Sequence, residues 1–401
     1  MSKMMKVFTL VALLAMVLGA CAPAETAAPV EEGKVFRVAV IMPSSINDLA
    51  FSQSMYQSLV EMQAELGGPE KMELVYSENM FVVDDAAAAI RDYASQGYNL
   101  VIAHGSQYGS SLREIAPDFP TTAFAHGTTA ATFADEGITN IFAYEAASNE
   151  GGYVNGVMAA MLSKSGVIGV VGPIETGDAK LYIDGFVAGA KATNPDITIN
   201  VNYIGSFSDV ALASEAANTH VAAGADVMSG TAQMVVGAIG VAKEKNVLWF
   251  GTQSSQTSLA PEIVVANQIY DWKVVLRDIF ALIGKGTYGG KGYIVTLENK
   301  GLVMDFNNAY GLPADVKAKA DETIKPRLSC SKTRFAARSG IVPSQAGWLV
   351  LPRFFLFFSQ ELAWLTIKAS SYNARRSNIL SLRTSPSAFR AFWPMRMSIL
   401  M

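Results

Sequence analysis

Three short polar clusters, each closing an apolar run, carry the chemistry this sequence can offer. His104-Gly105-Ser106-Gln107 closes the run 99–104, His126-Gly127-Thr128-Thr129 closes 121–126, and Gly251-Thr252-Gln253 closes 247–250. Hydroxyls, carboxamides and open glycine backbone suit hydrogen bonding to a neutral ligand. His104 and His126 would form a metal pair only with further ligands, and no Cys, Asp or Glu accompanies them in a recognisable spacing. Asp48 follows the run 36–42 and precedes a helix. It can accept hydrogen bonds from a ligand or cap the helix that starts at Leu49, and the two roles are compatible. Asp209, before another apolar helix, reads as a cap, and His220, inside that helix, as a surface residue. No G-x-S-x-G elbow, phosphate-cradling G-x-x-x-x-G-K-[ST] loop or zinc signature occurs. Gly166-x-x-Gly169-x-x-Gly172 brackets a strand and opens no helix, unlike a dinucleotide fingerprint. No catalytic residue, metal or cofactor is expected.

These clusters need a scaffold that brings strand ends together. From Lys34 to about Ile324, β-rich runs alternate with helical segments. Strands are predicted at 36–42, 72–76, 99–104, 121–126 and 140–144, with helices at 49–66, 84–96 and 110–116 between them. The alternation then restarts. Helices are predicted at 149–162, 179–193, 210–222 and 234–245, and strands at 166–171, 197–204, 225–228 and 247–250. Repeated strand–helix units imply a parallel sheet with helices on both faces, and two sets imply two lobes. Ligands in such sheets sit outside the carboxyl ends of the strands, which places a site in the cleft between lobes.

The ends differ from this body. Met1 to Ala20 has a basic start at Lys3 and Lys6, an apolar stretch and Leu18-Gly19-Ala20 before Cys21, the pattern of an export signal. The Cys directly after Leu-Gly-Ala resembles a bacterial lipobox, which implies lipidation of Cys21. Ala22 to Gly33, rich in Ala, Pro and Glu, reads as a spacer. At the other end, residues 325–401 hold 12 of the 31 basic residues and one of the 35 acidic ones, leaving 19 basic and 34 acidic before them. An acidic body argues against nucleic-acid binding. The basic tail reads as atypical, the product of a shifted frame or a disordered extension. Cys330 has no obvious partner, so no disulfide framework is implied.

Within the body, Asp48-Leu-Ala-Phe51-Ser52-Gln53-Ser54 resembles the D-x-x-F-N-Q-S segment of the basic membrane protein family, the purine-nucleoside-receptor-like lipoproteins. Gly151-Gly-Tyr153-Val-Asn-Gly156-Val-Met-Ala-Ala160 resembles its G-Y-x-x-G-x-x-A-A helix, and Asp184-Gly185-Phe186-Val-Ala-Gly189-Ala190 with Asn194-Pro195 its G-F-x-x-G-A stretch. Gly205-Ser-Phe207-Ser-Asp209 and Gly224-Ala-Asp226-Val227 continue the match, which runs from about Phe36 to Ile324. The resemblance implies a type I periplasmic-binding-protein fold, α/β, with two doubly wound parallel-sheet lobes joined by a three-crossing hinge. Crossings are expected near 140–145, 266–271 and 291–293. The N-terminal lobe would hold 35–142 and 267–292, and the C-terminal lobe 143–266 and 293–324, after a signal peptide at 1–20 and a tether at 21–34. The implied protein is a monomeric, lipid-anchored solute receptor that takes a nucleoside-like ligand to an ABC permease. An exported nucleoside-processing hydrolase or a ligand-binding sensor subunit are the alternatives. The hydrolase would need clustered carboxylates.

By the same resemblance Phe51 and Phe207 would clamp a flat base from opposite lobes, each read otherwise as core. Asp48, Ser52, His104, Gly105, His126, Thr231, Thr252, Gln253 and Asn267 complete the expected ligand-binding set, with Trp272 as an added aromatic wall. Two departures bear on the ligand. Nucleoside-binding members carry Gly-x-Asp after the strand matching 247–250, where this chain has Gly251-Thr252-Gln253. The position of a Lys that the family places after the next strand falls among Ile269-Tyr270-Asp271-Trp272, and no Lys occurs until Lys273. Ser52 also stands where Asn is common. These changes point to a base, a modified nucleoside or another small polar ring.

Overall fold

The computed structural model describes residues 35–325. The signal, Cys21, the tether and the basic tail lie outside the described residues.

Apolar, β-branched runs make the strands, and most are followed by a helix. The first sheet is built from β1 (Phe36–Ile41), β2 (Met72–Ser77), β3 (Leu100–His104), β4 (Ala123–Gly127), β5 (Ile141–Ala146) and β11 (Gly292–Val295). Their order is β11-β5-β4-β3-β1-β2, all parallel. Helices α1 (Phe51–Glu65), α2 (Val83–Ser95) and α3 (Gly109–Ile115) belong to this lobe. The second sheet contains β6 (Val167–Gly172), β7 (Thr198–Tyr203), β8 (Val227–Gly230), β9 (Leu248–Gln253), β10 (Val264–Tyr270) and β12 (Leu302–Phe306). Its order is β12-β10-β9-β8-β6-β7, parallel except for β12, which runs antiparallel to β10. It carries α4 (Asn149–Leu162), α5 (Gly177–Thr193), α6 (Val210–Ala222) and α7 (Val235–Lys245). The architecture is a two-lobed α/β fold.

The chain crosses between sheets three times, and the strand pairing sets where. β5 runs to Ala146 within the first sheet, so the expected boundary at 142/143 falls inside a strand. β10 stays in the second sheet to Tyr270, and α8 (Lys273–Ile283) returns to the first lobe, so residues 267–270 belong with the second lobe. Lys273 pairs with Glu61 and Arg277 with Glu65 at 2.7 Å, fixing α8 beside α1. β11 pairs with β5 through Val295, so the last crossing lies at 296–301, beyond the expected 291–293. A four-residue apolar strand next to a hinge gives no compositional mark of where the sheet ends.

The glycines of two quoted motifs have a packing role. A Cβ on Gly152 would lie 2.4 Å from the Tyr182 carbonyl oxygen, and one on Gly156 2.0 Å from that of Phe186. From the other side, a Cβ on Gly185 would meet the Asn149 oxygen at 2.3 Å and one on Gly189 the Tyr153 oxygen at 2.1 Å. Backbone contact between α4 and α5 therefore requires hydrogen at all four positions. This close pair places Asn155, whose side-chain amide donates to the Tyr182 hydroxyl at 3.0 Å and to the Gly251 carbonyl at 3.1 Å. Packing thus reaches up to the end of β9. His220, expected at the surface, is buried instead, with its ring against Gly169 and Nε2 bonded to the Val170 carbonyl at 3.1 Å.

Candidate ligand site between the lobes

Both sheets reverse their strand order at the same place, after the first and third strands of each lobe. Such switch points leave a crevice at the strand ends. Here the two crevices face one another around a cavity of about 170 Å³. Pro43 follows β1 and Gly105, Ser106 and Gln107 follow β3. Thr176, Gly177, Asp178 and Ala179 follow β6, and Ala232 and Gln233 follow β8. Phe51, Phe81, Thr128, Phe207 and Gln253 complete the lining.

The first-lobe wall is centred on Phe51, the first residue of α1. Its ring stacks on His104 with centroids 3.8 Å apart and planes 10° from parallel. His104 is wholly buried, with Nε2 3.1 Å from the Phe51 carbonyl and Nδ1 2.8 Å from the Tyr144 hydroxyl. A carbonyl can only accept, so Nε2 carries the proton and Nδ1 accepts from Tyr144. Burial holds the imidazole neutral and lowers its pKa to about 3, against the opposing pull of the Phe51 carbonyl. The Phe51 oxygen also accepts from the Ser54 hydroxyl at 2.7 Å, and Ser54 in turn accepts from Trp272 Nε1 at 2.9 Å.

Trp272 therefore lies behind the site, and the expectation that it forms a cavity wall is corrected. It is wholly buried, with its ring meeting Tyr144, Tyr270 and His104 at 5.1, 5.4 and 5.7 Å in edge contacts. Its position just after a crossing draws it into the hinge, where three segments distant in sequence close around it.

Asp48 acts as the cap of α1. Its Oδ1 accepts from the amides of Ala50 at 2.8 Å and Gln53 at 3.0 Å, and its Oδ2 accepts from Ser52 N at 3.0 Å and from the Ser44 hydroxyl. It is not among the lining residues. Ser52 is wholly buried, and its hydroxyl accepts from Ser44 N at 3.2 Å. His126 is buried beside Phe133, at 5.9 Å between rings, and burial lowers its pKa to about 4. Both nitrogens of His104 are engaged within the first lobe, so it is not set up as half of a metal pair with His126.

On the second-lobe side Phe207 is half-buried, and its ring meets Phe81 of the first lobe at 6.5 Å. Gln253, at the end of β9, lines the cavity in a left-handed conformation, φ 73°. Its Oε1 accepts from Ala232 N at 3.2 Å and its Nε2 approaches Asp178 Oδ2 at 3.5 Å. Thr231 and Thr252 are buried beside the lining residues Ala232 and Gln253 without lining the cavity themselves. Asn267 sits in β10, within the second lobe and not among the lining residues. Its Oδ1 accepts from Gln256 N at 3.1 Å, and its amide donates to Thr257 at 3.0 Å and to Asp305 of β12 at 3.2 Å. Of the twelve expected ligand residues, the lining contains Phe51, Gly105, Phe207 and Gln253.

Asp178 is the lining residue that sequence reasoning missed. It is the one ionisable side chain among the described lining residues. Its carboxylate accepts from the Tyr270 hydroxyl at 3.1 Å, and burial pushes its pKa up while that bond and Gln253 oppose the shift. The available signal was symmetry. Asp178 follows β6 and starts a helix, as Asp48 follows β1 and starts one. Phe81 was also missed. It is exposed in the loop before α2, after Asn79 in a left-handed conformation, and an exposed Phe-Val pair there was the only hint.

Known proteins are similar to this chain in fold and in sequence. A solved solute-binding protein of an ABC transporter system from Conexibacter woesei DSM 14684 shares the fold, with a TM-score of 0.61 and 24% identity, covering 77% of this chain and 99% of that one. A purine-binding protein of Brucella abortus (strain 2308) is 29% identical over 278 residues, 69% of this chain and 76% of the relative. The transcriptional activator protein med of Bacillus subtilis (strain 168) is 28% identical over 273 residues, 68% of this chain and 82% of that protein. The Bmp family model, described as ABC transporter substrate-binding protein PnrA-like, matches residues 35–333. With lobes, switch-point cavity and matched length in agreement, the chain belongs to the Bmp family of PnrA-like ABC transporter substrate-binding proteins.

Proposed function

We propose that this protein is a lipid-anchored receptor on the outer side of the cytoplasmic membrane that captures a free purine base and presents it to an ABC permease. The observation that carries the reading is the interlobe cavity with Phe51 from one lobe and Phe207 from the other among its lining residues. Aromatic plates suit a flat π-system, at about 1–3 kcal/mol per stacked base. Amides and hydroxyls of Gln107, Gln233, Thr128 and Thr176 around the plates suit the polar edges of a base. Two features favour a base over a nucleoside. The cavity, about 170 Å³, is smaller than the roughly 300–1,000 Å³ pockets that enclose drug-sized ligands. Position 253, where a carboxylate would hold ribose in nucleoside-binding relatives, is a glutamine already bonded to Ala232 and Asp178. The Brucella relative, described as purine-binding, is consistent with this choice.

The mechanism is closure around the guest. A ligand touching both lobes is bound well only when they approach, so it shifts the population toward the closed form that docks on the permease. Cys21 would carry the lipid, and anchoring needs two or more acyl chains. Among the described residues no helix is long and apolar enough to cross a membrane.

The test is a thermal-shift and calorimetric screen of the protein against purine bases, their nucleosides and sugars. A selective rise in melting temperature with a purine base, without turnover, and a smaller scattering radius in the complex are expected. Tight binding of a nucleoside or sugar with no response to any base overturns the reading, and product formation supports the hydrolase instead.

A further inference from the structure

We propose that Asp178 is the specificity-determining acceptor of this site, taking a ring N–H of the bound base into its carboxylate. The inference deepens the purine-base reading and rests on it. Its basis is that Asp178 is the one ionisable side chain among the described lining residues and is held in place by the second-lobe wall.

Gln253 directs one oxygen lone pair to Ala232 N at 3.2 Å and one N–H to Asp178 at 3.5 Å, so its amide is oriented by the wall. Asp178 is held by those same contacts. Its Oδ2 accepts from the Tyr270 hydroxyl at 3.1 Å, and Tyr270 is itself buried at the end of β10, edge-on to Trp272. The backbone is fixed too, since the Asp178 carbonyl accepts from the buried Ser148 hydroxyl at 2.6 Å. Asp178 starts α5, where the helix dipole favours a negative charge. A carboxylate has about four lone-pair directions and, ionised, no hydrogen to donate. Tyr270 and Gln253 both reach Oδ2, the Asp178 and Ala179 amides also lie against the carboxylate, and the side chain lines the cavity. As the one ionisable side chain among the described lining residues, it is the strongest acceptor offered to a donor on the guest.

Purine bases supply such donors as ring N–H groups, and methylation removes them one at a time. A buried acceptor left without its donor costs on the order of 10- to 100-fold in binding. A site built around such a bond discriminates far more strongly than one built on apolar fit.

The experiment uses the full chain and whichever of hypoxanthine, guanine or adenine it binds most tightly, with the ring-N-methylated forms of that base. In the unsubstituted protein one methylation should weaken binding on the order of 10- to 100-fold. In Asp178→Ala that penalty should collapse, because both the acceptor and the crowding around it are gone. Asp178→Asn, which keeps the size, should weaken the parent base by a similar factor while leaving the melting temperature of the empty protein near its starting value. If Asp178→Asn binds the parent base as tightly as the unsubstituted protein, the inference is wrong. It is also wrong if every methylation penalty survives in Asp178→Ala. Should Asp178→Ala fail to fold, Asp178→Asn decides alone. Absence of binding by any base in the unsubstituted protein sinks the purine reading itself, a result distinct from either of these.

Discussion

The two walls of the cleft are built differently. The first-lobe wall is a layered stack, in which Phe51 rests on His104, which bonds Tyr144, with Trp272 edge-on to both. All four rings are buried, and Phe51 is 8% exposed. The second-lobe wall has a rigid floor at Asp178 and Tyr270, but its aromatic ring is carried by a loop. Phe207 lies between β7 and α6, two residues after Gly205 at φ 77°, and the ring it meets is Phe81 of the opposite lobe. One plate is backed by the core, and the other is carried on a loop and faces a ring of the opposite lobe. A receptor that senses its guest by closing gains from this asymmetry, since a fixed plate offers the ligand a first landing site and the loop-borne plate reports that the lobes have met.

The strongest way to break the contrast is to remove the support of the fixed plate. Trp272→Ala deletes a fully buried indole and its bond to Ser54. Loss of a large core ring costs about 3–5 kcal/mol, so chemical denaturation should show a large drop in the unfolding midpoint. Base affinity should fall with it because Phe51 and His104 lose their backing. A folded Trp272→Ala protein with unchanged affinity would show that Phe51 needs no stack behind it.

Acid should act on the same wall. Burial lowers His104 to about 3 and His126 to about 4 in the folded protein, while an unfolded histidine titrates near 6.5. Between these values the unfolded chain binds protons that the folded one refuses, so stability increases with pH. It is complete above about 6.5 and falls as the pH drops toward 4 and then 3, by roughly 1.4 kcal/mol per pH unit for each imidazole. Denaturation curves from pH 7 to pH 5 should show this slope, and His104→Gln should lessen it. An NMR titration in which His104 protonates near pH 6.5 would refute the neutral stack.

The plates themselves come next. Phe51→Ala and Phe207→Ala should each weaken base binding by about 1–3 kcal/mol. They should separate in stability. Phe51→Ala opens space against His104 and lowers the melting temperature, whereas the half-buried Phe207 leaves the empty protein nearly unchanged. Equal melting temperatures for the two variants would remove the distinction between a core-backed and a loop-borne plate.

How much of this could be read from residues follows the same division. Local signals marked the strands and helices, because β-branched runs and apolar periodicity are properties of neighbours in sequence. Phe51 and Phe207 were legible through the segments around them. The hinge was not, because it is made of contacts between distant segments. Trp272 read as a wall until Tyr144, Tyr270 and His104 enclosed it, and the last crossing read as 291–293 because nothing in Gly292–Val295 says which sheet it joins. Asp178 stayed hidden for a related reason. Glu175-Thr-Gly-Asp178 looks like any helix start, and only the approach of Tyr270 and Gln253, 92 and 75 residues away in the chain, turns its carboxylate into a feature of the cavity.

The smallest effect tests whether closure is felt at the rim. Phe81 is 43% exposed and contributes an aromatic edge to Phe207 across the cleft. Such a pair adds about 0.5–1.5 kcal/mol beyond area burial when both rings are desolvated, and exposure here puts the effect at the low end. Phe81→Ala should leave the melting temperature of the empty protein unchanged, because the ring lies outside the core. If the proposed closure brings Phe81 and Phe207 together, the same substitution should speed dissociation of the bound base by a few-fold while leaving association nearly untouched. Stopped-flow measurement of both rates separates the two. A slowed association with unchanged dissociation would place Phe81 on the entry path instead of across the closed cleft, and the loop-borne plate would then have to hold its guest without a partner from the other lobe.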